Sequence, residues 1–312
     1  MSRLYKKNRD LSQRLERVEL RVDRPDEGRF DLFLARHLPW RSRTGVRELI
    51  EEGKALLNGD VRKASTKVRA GDRVVVDVVR ENAGTPPEPE VSILFEDDWI
   101  LALDKASGVV VHPVGPHQEG TMLQALHRRS CAGVLPKLIH RIDQYTSGVL
   151  LVAKSDSVRA EFSDMLERGE VDKEYDALLL GRMEDDAIEI ESPIGPVGDS
   201  RILMRVDSAG GKPAKTRVEV VERFRHATWV RIEILTGRTH QIRVHCSSVG
   251  HPLLGDHLYG DGLPVSEPPF LERFALHARR VGFRHPRTGE PQVVEAPLPD
   301  PFSSSIDCLR SA

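Results

Sequence analysis

The sequence predicts an α+β protein of two domains, a small helix-and-hairpin module ahead of a larger domain in which strands outnumber helices. Three observations carry that reading. Residues 81–92, ENAGTPPEPEVS, are rich in Pro, Gly and acid and poor in apolar residues, as a linker is. Before them stand two short helical patterns and an Asn58-Gly59 pair, a strong hairpin-turn signal. After them, apolar runs and alternating stretches recur with a few helices between, which predicts a mixed or antiparallel sheet. A chain of 312 residues has room for one large and one small domain with a full core.

The elements follow in order. Residues 1–17 read as a charged N-terminal tail. Residues 18–80 read as the first domain. In it, RFDLFLARHLP places Phe30, Leu32, Phe33, Leu34 and Leu38 on a helix-like face, and GVRELIEEG gives a second short helix stopped by Gly53. ALLNGDV turns at Asn58-Gly59, and RAGDRVVVDVV closes as a strand. Residues 81–90 are the linker, residues 91–300 the second domain and residues 301–312 a C-terminal tail. In the second domain, ILFEDDWILALDKASGVVVHP reads as strand, tight turn, strand and loop, and GVLLVAKS as a buried strand. DSVRAEFSDMLERG is a helix that Asp156 can cap, with Val158, Phe162, Met165 and Leu166 on one face. DKEYDALLLG is a strand, AKTRVEVVERF and ATWVRIEILTG an antiparallel pair, and THQIRVHCSSVG a helix ending at Gly250. LHARRVGFRHPRTGEPQVVEAP is a final hairpin turning between Pro286 and Gly289, and GLPVSEPPF, residues 262–270, is a surface loop.

Charge narrows the function. Residues 1–80 hold 20 Lys and Arg against 13 Asp and Glu, a balance of +7; the rest hold 26 against 35, a balance of −9. A basic front on an acidic body points to a polyanion-binding appendage. The three cysteines, Cys131, Cys246 and Cys308, have no paired spacing, which suits a reducing cytosol. The start, MSRLYKKNRD, has no apolar stretch of a signal peptide, and no run approaches eighteen apolar residues, so a cytoplasmic protein without a membrane span is expected.

The stretch HRIDQYTSGVLLVAKS, residues 140–155, puts a carboxylate between a basic pair and a buried strand. Thr146, Ser147 and Gly148 set Asp143 at a strand mouth, where loops on rigid scaffolds carry function. Further on, LTGRTHQIRVH supplies Arg238, His240, Arg243 and His245. An Arg at a partly buried site favours the ionised form of a carboxylate, which can then act as nucleophile or base. Alone, an Asp at this position reads more readily as a capping or turn residue than as a functional one.

The joint pattern decides between those readings. His140-Arg141-Ile142-Asp143 with Thr146-Ser147-Gly148 closely resembles the signature of the RluA-type pseudouridine synthases. FEDDWILALDKASGVVVHP, DKEYDALLLG, GGKPAKTRVEV, TGRTHQIRVH, GHPLLGDHLYG and RFALHARRVGF resemble that family's other blocks, in order, across residues 91–300. RFDLFLARH, RSRTGVRELIEEGKALLNG and AGDRVVV resemble the alpha-L RNA-binding module shared with a small-subunit ribosomal protein. The resemblance implies a pseudouridine synthase fold and an enzyme that breaks the N1–C1′ bond of uridine, turns the base and rejoins it through C5, without metal or organic cofactor. It implies that Asp143 is the catalytic Asp, that Tyr175 stacks on the flipped base and that Arg238 pairs with the Asp. Leu276 then floors the uracil pocket, and Arg141 fills the gap left by the flipped nucleotide. In the front module Arg41, Arg43, Arg47 and Lys54 are the candidates for RNA phosphates, contacts that position without reading sequence. The implied partner is RNA, ribosomal RNA favoured and transfer RNA the alternative, bound by a monomer.

The chemistry agrees. A uridine must leave its stack to reach a carboxylate, and an aromatic face and an Arg plane offset part of that cost. Positive character at C1′ is stabilised by a nearby carboxylate. Asp143 could attack C6 of the base, or C1′, or remove the 2′ proton. Three departures from the family stand near it: Ile142 for Leu, Ala106 for Pro, expected to loosen its turn, and Gln144-Tyr145 for a more charged pair. Two rivals exist. A metal hydrolase would draw on His240, His245, Cys246, His251, Asp256 and His257, but their spacing fits no strong zinc signature, and His240 and His245 lie about 140° apart on a helix. A non-catalytic RNA-binding protein would lack the Asp, which is present.

Overall fold

The computed structural model describes residues 11, 17–23, 28–38, 41, 43–77, 87–114, 119–130, 135–198, 203–260 and 273–311. The chain forms two compact units, residues 1–89 with 112–135, and residues 90–111 with 136–312.

The first unit starts with β1 (Arg17–Arg21), α1 (Phe30–His37), α2 (Arg43–Glu51), β2 (Ala55–Leu57), β3 (Asp60–Val61) and β4 (Arg73–Asp77), with an antiparallel sheet in the order β1-β4-β2-β3. Arg17, the last residue of the expected tail, opens β1; residues 1–10 and 12–16 lie outside the described residues. Alternation turns Val18 and Leu20 inward, onto Phe30, Phe33, Leu34, Val46 and Leu49 of the helices. Asn58 and Gly59 carry φ of 56° and 89°, as a two-residue hairpin turn that matches strand twist demands. The Asn58 side chain also ties the turn to β4, accepting from the Arg73 N–H at 2.8 Å.

The expected boundary at residue 91 is corrected in one respect. Residues 112–135 belong to the first compact unit, not the second. They contain α3 (Met122–Arg129), whose His127 Nδ1 accepts from the Leu11 N–H at 2.8 Å and whose Arg128 pairs with Glu88 at 3.2 Å. Of the expected linker, residues 81–86 lie outside the described residues.

The second unit is built on one sheet. Its elements are β5 (Ser92–Glu96), β6 (Ile100–Lys105), β7 (Lys137–Leu138), β8 (Ser147–Ala153), α4 (Asp156–Glu167), β9 (Val171–Leu180), β10 (Ala187–Glu191), β11 (Ile194–Pro196), β12 (Met204–Val206), β13 (Lys215–Arg223), β14 (Ala227–Ile234), α5 (Gln241–Ser248), β15 (Leu276–Arg284), β16 (Pro291–Glu295) and α6 (Asp300–Ser311). The order is β10-β13-β14-β9-β15-β8-β6-β5, with β16 beside β15, β7 beside β8, and β11-β12 a separate ribbon. Only the β15–β8 pairing is parallel among these strands, so the sheet is mixed, as predicted. α4 lays Val158, Phe162 and Met165 on Val149, Leu151 and Phe283. Its cap is Ser155, whose Oγ accepts from the Val158 N–H at 3.2 Å, rather than Asp156, which begins the helix.

The segment expected as a C-terminal tail is a docked helix. Phe302 and Ile306 of α6 are buried against Leu178, Phe224, Leu254 and Ala275, and Leu309 flanks them. Spacing of four and three residues puts those side chains on one face, so the pattern was present and its length was underrated. The surface loop expected at residues 262–270 lies outside the described residues.

The parallel junction of β8 and β15 depends on one glycine. Gly148 has φ of 100°, and a Cβ built there would stand 2.2 Å from the Ala278 carbonyl oxygen. Only a residue without a side chain lets the two strands approach so closely. Gly148→Ala is therefore expected to lose more than the roughly 1–2 kcal/mol of a left-handed alanine, read as a lowered urea midpoint; an unchanged midpoint would show that the strands part without penalty.

Candidate active site

Asp143 sits in the loop from β7 to β8, and its place there is set by neighbours that turn alternately in and out. His140 Nε2 accepts from the Leu151 N–H of β8 at 3.1 Å, and Ile142 is buried. Arg141, between them, is exposed. Beyond Asp143 the chain turns, with the Thr146 N–H donating to the Asp143 carbonyl at 3.1 Å. Lys105, at the end of β6, fixes the far side of the turn. Its ammonium is buried and donates to three carbonyls, Ala106 at 2.8 Å, Val109 at 3.0 Å and Gln144 at 2.8 Å. Burial lowers its pKa to about 7, although the charges of Asp143 and Asp104 work the other way.

Arg243, not Arg238, faces the Asp143 carboxylate. Arg243 Nη1 lies 3.5 Å from Asp143 Oδ2. Its other nitrogens grip Asp256, Nε to Oδ2 at 2.7 Å and Nη2 to Oδ1 at 2.9 Å. The rings of Phe274 and Tyr259 lie 4.3 and 4.9 Å from its Cζ. Burial alone would lower the pKa of this guanidinium; the pairing with Asp256, and then the charge of Asp143, raise it instead. Arg238 serves another purpose: its Nε donates to the Pro213 carbonyl at 2.9 Å. The two arginines stand five residues apart in one block, and helix α5, which begins between them, turns the second one inward.

Gln241 sets that helix start. Its Oε1 accepts from the Arg238 N–H at 3.0 Å and the Thr236 hydroxyl at 2.7 Å, and its Nε2 donates to the Lys215 carbonyl and Thr216 Oγ1 at 3.0 and 2.9 Å. A buried amide thus has partners for both its oxygen and its nitrogen, and α5 is bound to β13. His240, just before the helix, has Nε2 at 4.0 Å from Asp143 Oδ2.

Tyr175 and Leu276 share one face of the sheet. Tyr175 on β9 pairs with Ala278 on β15, and Ala177 with Leu276, and directly opposed residues of antiparallel strands point the same way. Tyr175 is buried, and burial, with the negative charge of Asp143 adding, pushes its phenol above the ordinary range. Asp143, Tyr175 and Leu276 therefore belong to one place. Asp143 keeps 28% of its side chain exposed whereas Arg243 keeps 8%, so the carboxylate is the part that solvent or a substrate can reach.

The other predicted residues are placed as follows. Arg43 and Arg47 stand one turn apart on α2, both exposed, with Arg47 Nε 3.6 Å from Asp31. Lys54 pairs with Glu52 at 3.0 Å, and the Arg41 N–H donates to the Leu38 carbonyl at 2.9 Å. Of the metal-ligand types, His245 is held by Thr216 Oγ1 and the Ser192 carbonyl, His251 by the Leu180 carbonyl, and Asp256 by Arg243. Sequence reasoning missed Lys105, Arg243 as the pairing residue, and the Asp256–Tyr259–Phe274 shell. Lys105 and Asp256 sit inside the quoted blocks, but their partners are remote in sequence.

His140 makes the loop sensitive to acid. Burial lowers its pKa to about 4, with the charge of Lys173 adding to the effect. In the unfolded chain it takes a proton near the ordinary value of about 6.5. Between those values the unfolded state binds more protons, so stability is lost as pH falls from about 6.5 towards about 4. His140→Gln keeps an acceptor for Leu151 and does not titrate. It should lose less stability than wild type between pH 7 and pH 5, measured by urea unfolding; equal losses would place the acid sensitivity elsewhere.

Comparison with known proteins gives the family. A family model described as RNA pseudouridylate synthase matches residues 99–248, and an S4 domain model matches residues 28–74. The chain is 39% identical over 290 residues to an uncharacterized RNA pseudouridine synthase of Bacillus subtilis, YlyB, covering 90% of this chain and 94% of the relative. It is 36% identical to ribosomal large subunit pseudouridine synthase D of Pseudomonas aeruginosa, covering 90% and 92%. Among solved structures, human RNA pseudouridylate synthase domain containing 1 aligns with a TM-score of 0.57 at 28% identity, over 73% of this chain and 90% of that one. With relatives this close along nearly its whole length, the chain belongs to the RluA-type RNA pseudouridine synthases and carries an S4 RNA-binding domain at its front.

Proposed function

We propose that this enzyme isomerises specific uridines of ribosomal RNA, with Asp143 as the catalytic carboxylate. One observation carries the reading: Asp143 is partly exposed, with one oxygen facing a buried, doubly anchored arginine and a buried tyrosine within electrostatic reach. The names of relatives such as ribosomal large subunit pseudouridine synthase D support ribosomal RNA as the target. The S4 domain grips RNA phosphates through the exposed face of α2, and the second unit receives the extruded base.

Roles then follow from position. Tyr175 offers a flat ring, raised so far above its ordinary pKa that it stays a neutral phenol, and it stacks on the flipped uracil. Leu276, on the same sheet face, floors the pocket. Arg141, exposed beside the carboxylate, enters the gap in the RNA stack. Arg243 takes the pairing role first expected of Arg238. The overall change is balanced: N1–C1′ breaks, C5–C1′ forms, and the proton lost from C5 is matched by one gained at N1.

Asp143→Asn keeps the shape and loses the charge, so single-turnover conversion should fall at least about a thousandfold with RNA binding retained. Arg243→Gln should lower it roughly a hundredfold, in line with ~3 kcal/mol for breaking a buried charge pair. Arg238→Ala, which removes a bond to Pro213, should stay within about tenfold. The assay is tritium release from an in vitro transcript of bacterial large-subunit ribosomal RNA labelled at C5 of uridine. Turnover by Asp143→Asn would sink the mechanism, and a larger loss in Arg238→Ala than in Arg243→Gln would reverse the pairing.

The phosphate-binding face has its own test. The double variant Arg43→Glu/Arg47→Glu should weaken binding to that transcript and reduce the slope of log affinity against log salt by about two, one for each phosphate no longer neutralised. An unchanged slope would move the RNA-binding surface off α2.

A further inference from the structure

We propose that His240 is a positioning residue for the reaction: its imidazole, held by Tyr259 with the proton on Nε2, presents that N–H to the same oxygen of Asp143 that faces Arg243, and so leaves the other oxygen to the substrate. The inference rests on Asp143 being the catalytic carboxylate.

The backbone gives the first reason. His240 has φ of 55° and ψ of 24°, in the left-handed region. Among the described residues the only other non-glycine with positive φ is Asn58, in a hairpin turn that requires it. A left-handed histidine costs about 1–2 kcal/mol, and as the residue before α5 it caps nothing with its side chain. Asparagine would hold this backbone at less cost, so the ring must be needed for what it touches.

The hydrogen bonds give the second. His240 Nδ1 lies 2.8 Å from the Tyr259 hydroxyl, which also accepts from the Met204 N–H at 3.0 Å. Were both neighbours donors, the hydroxyl's own proton would have no acceptor among the described residues, in a buried place. The network is satisfied when Tyr259 donates to Nδ1, and a neutral imidazole then carries its proton on Nε2. The Tyr259 ring stands edge-on to the imidazole at 5.6 Å, and the same Tyr259 ring flanks the guanidinium of Arg243.

The third reason is where Nε2 points. It lies 4.0 Å from Asp143 Oδ2, and Arg243 Nη1 lies 3.5 Å from that same atom. Both distances are long, as is common before substrate binds and closes a site. The charged and titratable groups that face His240 are Asp143, Arg243, Asp256 and Tyr259. Burial lowers the pKa of the ring; the charge of Asp143 opposes this, that of Arg243 adds to it, and the net direction is down. The ring is thus a neutral donor, which orients the carboxylate without adding a second cation to neutralise it.

Three proteins are compared: wild type, His240→Asn and Tyr259→Phe. Asparagine suits the left-handed backbone and reaches Tyr259 but not Asp143. His240→Asn should therefore keep or raise the melting temperature and bind the ribosomal RNA transcript within about twofold of wild type, yet release tritium in a single turnover about tenfold more slowly or worse, the worth of a hydrogen bond to a charged group. Nitrogen-15 NMR of histidine-labelled wild type should show His240 protonated on Nε2 and bare on Nδ1, with the two tautomers mixing in Tyr259→Phe. Equal single-turnover rates in wild type and His240→Asn overturn the proposal, as does a wild-type ring protonated on Nδ1. Turnover by Asp143→Asn in the same assay overturns the reading of Asp143 and this inference with it; an inactive Asp143→Asn beside a His240→Asn as active as wild type overturns the inference alone.

Discussion

Arg243 has donors on every nitrogen and no acceptor, and the site is arranged around how that fork is shared. Two nitrogens are taken by Asp256 in the bidentate geometry that suits guanidinium and carboxylate best. The third is left to face Asp143. Burying an isolated guanidinium would be prohibitive, so Asp256 is the condition for Arg243 being there at all. Phe274 and Tyr259 cover its faces and keep water from competing for the pair. The consequence is a cation that cannot swing away, held beside a carboxylate that remains partly open. Lysine would not replace it, since a point charge cannot satisfy Asp256 twice and still reach Asp143.

Around that pair, the structure relies on polar side chains that are buried and satisfied. His140 accepts from β8, Gln241 ties α5 to β13, and Lys105 closes the turn after Asp143. Each binds at least one backbone group, so each fixes the path of the chain. His140 and Lys105 thus flank Asp143 as tethers of its loop. The rigid strands β6, β8, β9 and β15 supply the platform, and these tethers carry its precision out to the loops.

Most of the fold could be read from local pattern. The strands β8, β9, β13, β14 and β15 are long apolar or alternating runs, and the Asn58-Gly59 hairpin follows from turn chemistry alone. What escaped were elements whose apolar signal is short. The ribbon β11–β12 has three residues on each side, and α6 shows its face through only Phe302, Ile306 and Leu309. The grouping of residues 112–135 with the first unit escaped as well, because it depends on pairings far apart in sequence such as Leu11 to His127. At the site, Asp143 and Tyr175 were legible through ordered blocks. The choice between Arg238 and Arg243 was not: it depends on where α5 begins and on Asp256, thirteen residues further on, and neither follows from composition or spacing.

Two of the three departures from the family pattern near Asp143, Ala106 and Gln144-Tyr145, turn out to be one feature. Ala106 stands where proline would stiffen its turn, and Gln144 and Tyr145 replace a charged pair. Yet the two turns hold each other. Lys105 donates to the carbonyls of both Ala106 and Gln144, the Gln144 amide donates to the Gly108 carbonyl at 3.0 Å, and the Ser107 hydroxyl donates to the Tyr145 carbonyl at 3.0 Å. These four hydrogen bonds, two from the Lys105 ammonium and two between neutral groups, supply the stiffness that a proline ring would have given by covalent means. The uncharged Gln144 is the side chain that permits this, because an aspartate there would have no proton to offer the Gly108 carbonyl. Tyr145, its backbone fixed by Ser107, places its ring edge-on to Phe274 at 6.1 Å, and Phe274 in turn covers Arg243. The loop that carries the carboxylate and the shell that holds its arginine are thus joined through one aromatic contact, and the expected loosening at Ala106 is offset from the other side of the turn.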